Sequence, residues 1–498
     1  MTQGTRSQVE AARREKLALL RERGIEPFAY RFDRTHTAAA AQAAFNPGAP
    51  DAEPEVHLAG RIVALRGHGK TTFAHLEDAS GRIQLYFRQD ALGGDRYALV
   101  GLLDLGDFVG VQGRVFRTRT GEVTVRVDDV GLLTKALRPL PLGKADADGE
   151  QHGALVDPEL RARQRYADLA VHPDVRELFY LRARVIACLR QFLDERGFVE
   201  VETPALQPLY GGAMARPFVT HHYALDRQLY LRIATELYLK RCIVGGMEKV
   251  YEIGKDFRNE GIDRLHNPEF TMLELYQAYA DYTDMMTLTE ALVSGTVRAV
   301  SGAPAIERFG TTLDFTPPWP RRTYRGLVQE YAGLDLTAAD DEALRAALRG
   351  REVVEADALP RTRLVDEVFR TFVEPRLQDP TFVVDFPIEV SPLAKPKRGD
   401  PTLAERFELF VLGRELANAF SELTDPDDQR RRFEAQAEVR AAGDDEAQPL
   451  DEDFLRALEY GMPPTGGMGL GVDRLVMVLG EQSHIRDVIL FPIQRAES

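Results

Sequence analysis

Two short runs place acidic side chains among apolar ones. In "FTMLELY" (270–276), Phe270, Met272, Glu274 and Tyr276 alternate with Thr271, Leu273 and Leu275. Successive strand side chains point to opposite faces, so the first four share one side. The same spacing puts Asn418, Phe420 and Glu422 of "NAFSEL" on one side of another strand. A buried carboxylate without a partner costs several kcal/mol or shifts its pKa. Glu274 therefore requires either an internal Arg or Lys or a bound cation. Glu422 has no obvious cationic neighbour in sequence. Two acceptor-only carboxylates and a tyrosine hydroxyl suit a ligand ammonium, which has three donors and no acceptor.

A second set of residues suits phosphate chemistry. Glu408 and Glu415 flank a turn at Gly413, a reasonable pair for Mg²⁺, which takes oxygen ligands and keeps phosphates and waters. "RNEGIDRLHNPEF" reads as the end of one strand, a loop over 261–269 and the start of the next. Arg258 and Glu260 then share one face of the first strand, and if that face is also the face of Glu274, an Arg, two Glu, a Phe and a Tyr converge on one pocket. "PPTGGMGLGVDRLVMVL" reads as a Gly-rich strand running into a helix near Asp473 and Arg474. It lacks a P-loop lysine and opens no βαβ unit. Its glycines imply close approach of the backbone to another group, with Arg474 nearby.

The elements that must carry these residues fall into two regions. An N-terminal helix is signalled by a Ser7/Glu10 capping box, an apolar stripe of Val9, Ala12, Leu17 and Leu20, and Gly24 at its end. Its other face carries Arg13, Arg14, Lys16, Arg21 and Arg23, either a solvated face or a phosphate contact. "AAAAQAAFNPGAPDAEPE" reads as a connector, closing a first segment at residue 55. Over 56–137, five strand patterns with a helical one between the third and fourth match an OB-fold, a small barrel that often binds single-stranded nucleic acid. There Arg61, Arg66, Lys70, Arg82 and Arg88 outnumber Glu77 and Asp78, and Phe73 is either a core residue or a stacking platform. A Pro/Gly/Asp-rich hinge covers 138–170. The remainder, 171–498, mixes helices around 174–197, 233–245 and 282–301 with alternating strands, and a helical insertion is expected over about 303–375. The fold class is thus α+β.

The composition of the 498 residues, 44% hydrophobic and 28% charged, is that of a soluble globular chain with no run able to span a bilayer. Cys188 and Cys242 are the only cysteines, which fits a reducing cytoplasm and argues against a disulfide framework or thiolate metal site. The net charge of −15 excludes a uniformly cationic coat for nucleic acid and suits a cationic small substrate.

"FRNEG…HNPEFT" with "GLGVDR" resembles motifs 2 and 3 of the class II aminoacyl-tRNA synthetases, and "RGFVEVETP" (Arg196–Pro204) resembles motif 1. Within the aspartyl/asparaginyl/lysyl subgroup the side-chain set is most similar to the bacterial lysyl family. The resemblance runs from the OB-like segment to "RDVILFP". It implies an anticodon-reading OB-fold followed by an antiparallel sheet flanked by helices. It also implies a homodimer through motif 1, and activation of L-lysine by ATP with Mg²⁺ before transfer to the acceptor end of tRNA. Arg258 would bridge the lysine carboxylate and the α-phosphate, where charge builds. Glu260 and the backbone around Asn267 would hold adenine, His266 would reach the phosphates, and adenine would lie between Phe270 and the Arg474 guanidinium. Glu408 and Glu415 would carry Mg²⁺. Gly212 and Glu236 would take the α-ammonium; Glu274, Tyr276 and Glu422 the ε-ammonium, with Asn418 and Phe420 beside the substrate. Arg66, Phe73, Gln84 and Glu122 would contact anticodon bases. Ala417 and Ala419 stand where the family has glycine, so their methyls are expected to narrow the pocket or shift the strand.

Three rival readings follow. An aspartyl or asparaginyl enzyme shares the architecture, but an aspartate pocket needs cations where Glu274 and Glu422 would repel the substrate. A shorter paralogue that attaches lysine to a protein lacks an anticodon-binding domain, whereas this chain has an OB-like segment. A nucleic-acid-binding module on an inactive scaffold would have lost Arg258, Glu415 or Arg474, and all three are present.

Overall fold

The computed structural model describes residues 8–49, 52–145, 151–351, 359–441 and 448–494. The chain forms two compact units, 1–156 and 157–498, whose boundary falls inside the stretch read as a hinge.

In the first unit, α1 (Gln8–Glu22) buries Leu17 and Leu20, each worth about 1.5–3 kcal/mol relative to exposure. Ser7 of the expected capping box lies outside the described residues, and Val9 and Ala12 are exposed, so the apolar stripe is shorter than its periodicity suggested. Two of its basic residues are structural: Arg13 donates to the carbonyls of Leu105, Ala136 and Arg138, and Lys16 pairs with Asp104 at 2.7 Å. Arg14, Arg21 and Arg23 stay exposed. The connector contains a further helix, α2 (Ala38–Ala44), capped by Thr37 and buried at Ala38 and Ala41. Strands β1 (Glu55–His68), β2 (Thr71–Asp78), β3 (Gly81–Arg88), β4 (Phe108–Arg117) and β5 (Val123–Thr134) close into a barrel in the order β1-β2-β3-β5-β4, with α3 (Gln89–Val100) between the third and fourth. Alternation explains the packing: Ile83, Leu85 and Phe87 point inward while Gln84, Tyr86 and Arg88 face out.

The second unit is built on eight strands: β6 (Val199–Glu200), β7 (Lys249–Phe257), β8 (Glu269–Ala278), β9 (Arg321–Thr323), β10 (Thr381–Val384), β11 (Arg406–Val411), β12 (Arg414–Ser421) and β13 (Thr465–Gly471). Their spatial order is β9-β10-β11-β12-β13-β8-β7-β6, antiparallel except at the two edges, where β9–β10 and β7–β6 run parallel. One face of the sheet packs in a single core with α4 (Pro173–Asp194), α6 (Tyr282–Ser301) and α10 (Val472–Leu479). Against β8 on the other side lies α5 (Glu236–Val244), whose Leu237, Leu239 and Ile243 join Tyr276 in a second cluster. The insertion is only partly helical. It opens with a hairpin, 305–308 against 311–314, and supplies β9 before three helices, α7 (Tyr324–Ala332), α8 (Asp341–Leu348) and α9 (Arg361–Phe372), close a core of their own.

Candidate active site

The sheet face opposite α4, α6 and α10 opens into a cavity of about 340 Å³. Every residue expected to meet ATP or lysine lines it, apart from Glu408. Strand β8 contributes Phe270, Met272, Glu274 and Tyr276, while Leu273 and Leu275 enter the core behind. Glu274 is buried, accepts from the Thr235 backbone N–H at 3.3 Å and from the Tyr276 hydroxyl at 3.2 Å, and has no cationic partner among the described residues. Burial, reinforced by Asp256 and Glu236, pushes its carboxyl up to about 8. Asp256, also buried, sits 3.4 Å from Arg232 Nε and is itself raised to about 6, chiefly by burial. Strand β13 explains its glycines here. A Cβ on Gly467 would lie 2.0 Å from Glu422 Oε1 and 2.5 Å from the Tyr276 ring, so only glycine lets both side chains cross that strand.

Glu422 does have an internal cation, contrary to the expectation from its neighbours in sequence. The wholly buried Lys240 of α5 pairs with Glu422 and, one helical turn back, with Glu236 at 2.5 Å. The contact was invisible locally because Lys240 and Glu422 are remote in the chain. Gly212, also lining the cavity, has its N–H 3.3 Å from Gln448 Oε1.

At the other end of the cavity the loop runs from 258 to 268, because β7 stops at Phe257. Arg258 and Glu260 are therefore loop residues rather than strand residues: the Arg258 N–H closes the loop onto the Pro268 carbonyl at 2.9 Å, and Glu260 is exposed at the rim. The Arg258 guanidinium lies 5.0 Å from the Phe270 centroid. Phe270 and Arg474 both line the cavity. Arg474 donates to Glu415, backbone at 2.9 Å and carboxylate at 3.0 Å, and lies 3.4 Å from His266, whose other nitrogen meets Asp263 at 2.9 Å. The buried Asn267 donates to the Glu269 carbonyl at 2.6 Å and braces the loop.

Glu415 reaches this face through a β-bulge. Ala417 pairs with Leu409 and Glu415 with Phe410, leaving Leu416 as the extra residue, so Leu416 and Ala417 both enter the core. Ala417 and Ala419 point away from the cavity into that core, and their methyls do not narrow the pocket, contrary to expectation. Glu408 accepts from Arg406 at 2.5 Å, and burial, then the Glu415 charge, raises it to about 8. Burial also pushes Glu415 up, but the Arg474 guanidinium, with Arg406 and Arg258, outweighs it and holds the carboxyl below its usual range. Two adjacent half-buried carboxylates, each engaged by an Arg through one oxygen, form a donor set that fits Mg²⁺ together with substrate phosphates.

On the barrel of the first unit, Arg66 sits opposite Phe73, and Phe73 opposite Tyr86, with the two rings stacked at 4.6 Å. Gln84 donates to Glu122 at 2.7 Å, and His75 meets the same carboxylate at 3.0 Å. Tyr86 and His75 were missed, although i, i+2 spacing from Gln84 and Phe73 places them on this face.

Residues 157–495 match the family described as "tRNA synthetases class II (D, K and N)", and 56–133 match "OB-fold nucleic acid binding domain". The chain belongs to the class II tRNA synthetases. It is 54% identical over 486 residues to the lysine–tRNA ligase of Pelotomaculum thermopropionicum, covering 97% of this chain and 94% of that one. It is 54% identical over 488 residues to that of Moorella thermoacetica, covering 97% of each. To the Bacillus subtilis lysine–tRNA ligase it is 49% identical over 488 residues, 97% of this chain and 96% of that one. The fold is accordingly an OB-fold barrel followed by a class II synthetase domain.

Proposed function

We infer that the chain activates L-lysine with ATP and transfers it to the 3′ end of its tRNA. The observation that carries the choice of amino acid is Glu274, a buried carboxylate at the cavity wall that pairs with no cation among the described residues. An ammonium completes it; an aspartate side chain would be repelled, which disfavours the aspartyl and asparaginyl alternatives.

Glu274 and Tyr276 take the ε-ammonium with Glu422, Gly212 and Glu236 take the α-ammonium, and Asn418 and Phe420 flank the side chain. Arg258 spans the lysine carboxylate and the α-phosphate. The carboxylate oxygen attacks the α-phosphorus as its bond to pyrophosphate breaks, giving lysyl-adenylate. A ribose hydroxyl at the tRNA 3′ end then attacks the acyl carbon and AMP leaves. The protein supplies position and charge neutralisation rather than a nucleophile. Glu260, Asn267, Phe270, His266 and Arg474 hold the nucleotide. Glu408 and Glu415 would hold Mg²⁺, which neutralises phosphate charge when bound. The barrel face of Arg66, Phe73, Gln84 and Glu122 reads the anticodon. We further propose a cytoplasmic homodimer formed through Arg196–Pro204, a reading supported by the exposed Val199 and the free Cys188 and Cys242.

An ammonium binds Glu274 only in its ionised form, and that form is depleted below a pKa of about 8. The KM for lysine in ATP–pyrophosphate exchange is therefore expected to fall as pH rises from about 6 to 8, approaching tenfold per unit, and to level off above. A flat profile would count against the ammonium pocket. Phe73→Ala is expected to lower tRNA aminoacylation by about tenfold or more, the value of one base stack, with lysine-dependent exchange unchanged. Equal losses in both assays would remove the anticodon role.

A further inference from the structure

The floor of the amino-acid pocket holds an ammonium of the protein's own. Lys240 has no solvent exposure, lies 2.5 Å from Glu236, pairs with Glu422, and its Nζ is 5.5 Å from the Phe420 ring centroid. Glu236, Phe420 and Glu422 all line the cavity, so Lys240 stands immediately beneath it. The charges facing this group are Glu236 on its own helix, Glu422 beyond β12, and Glu274 with Tyr276 on β8; Arg406 of β11 also acts on Glu236. Beyond Glu274 lies Asp256, outside the cavity lining, which Arg258 and Arg232 both attract, Arg232 being paired with Glu252 as well. With all three pocket carboxylates ionised, Lys240 and Arg258 leave a net charge of about −1, matched by the single net positive charge of lysine. Without Lys240 the pocket would carry one more buried anion than the substrate can answer, and burial would protonate it.

We propose that Lys240 is a positioning and specificity-determining residue of the amino-acid pocket: a tethered ammonium that offsets the charge of Glu236 and Glu422 against burial, holds the two carboxylates together, and matches the pocket's charge to that of one lysine. The proposal rests on the lysine reading above. The orientation of Glu422 follows from it. Gly467 leaves room for that carboxylate, and Lys240 supplies the cation that anchors it there.

The test is lysine-dependent exchange by the full-length Lys240→Met enzyme across pH, with ATP titrated in parallel. Removing one member of a buried charge set is expected to raise the lysine KM at neutral pH by about a hundredfold. The KM of ATP should change little. The pH profile of the lysine KM should move to higher pH, because Glu236 and Glu422 then ionise later, and methylammonium or ethylammonium should restore part of the affinity. Lysine KM and profile equal to those of the parent enzyme would overturn the proposal, as would equal losses for lysine and ATP with no amine rescue. If Lys240→Met does not fold, Lys240→Met with Glu236→Gln removes the cation together with one anion. An alkaline shift in its profile supports the assignment and an unshifted profile overturns it. Failure of lysine to stimulate exchange in the parent enzyme would instead sink the underlying reading, and so is distinguishable.

Discussion

Arg258→Ala is expected to lower the kcat of lysine-dependent ATP–pyrophosphate exchange by about 10²–10³-fold, the usual cost of removing one donor aimed at developing transition-state charge. Its guanidinium has no carboxylate partner among the described residues. It is held by the Phe270 ring at 5.0 Å and a long hydrogen bond to the Ile233 carbonyl at 3.4 Å, so it is available to an incoming phosphate and carboxylate. The loss should fall mainly on kcat. Arg258→Lys should recover little, because a point charge cannot bridge two anions as a planar fork does. A loss confined to the KM of ATP would reduce Arg258 to a nucleotide-binding residue.

Glu274→Gln is expected to weaken lysine binding by removing a direct contact with the substrate. The substitution keeps the shape of the side chain and its contact with the Thr235 N–H but removes the charge that answers the ε-ammonium. Losing one partner of a buried charge pair costs about 2 kcal/mol or more, about a 30-fold or greater rise in lysine KM. The KM of ATP should remain near that of the parent enzyme, and the dependence of lysine KM on pH between about 6 and 8 should disappear with the titrating group. Glu274 is a cleaner position than Glu422 for this experiment, because Glu422 is also tied to Lys240. An unchanged lysine KM would show that the ammonium is bound elsewhere.

Period-two alternation was enough to read the pocket wall on β8 and on the end of β12, since both strands bury one face in the core and carry polar groups on the other. The barrel strands were legible for the same reason. Alternation fails where a strand breaks its own period. Leu416 bulges out of register and brings Glu415 round to the face of Asn418, which no count of residues reveals. Arg258 and Glu260 lie past the strand end, where the Pro268 carbonyl captures the chain. Lys240 illustrates a different limit. Its i, i+4 relation to Glu236 was available in "ELYLK", but its meeting with Glu422 depends on how α5 packs against the sheet. The chemistry of Glu274 was legible for the opposite reason, since none of the described residues, near or far in the chain, pairs it with a cation.

The most direct test of the lysine assignment is ATP–pyrophosphate exchange by the full-length enzyme with each proteinogenic amino acid in turn. Lysine is expected to stimulate exchange far above all others, with aspartate and asparagine at background. Stimulation by aspartate or asparagine, or no stimulation by lysine, would contradict it.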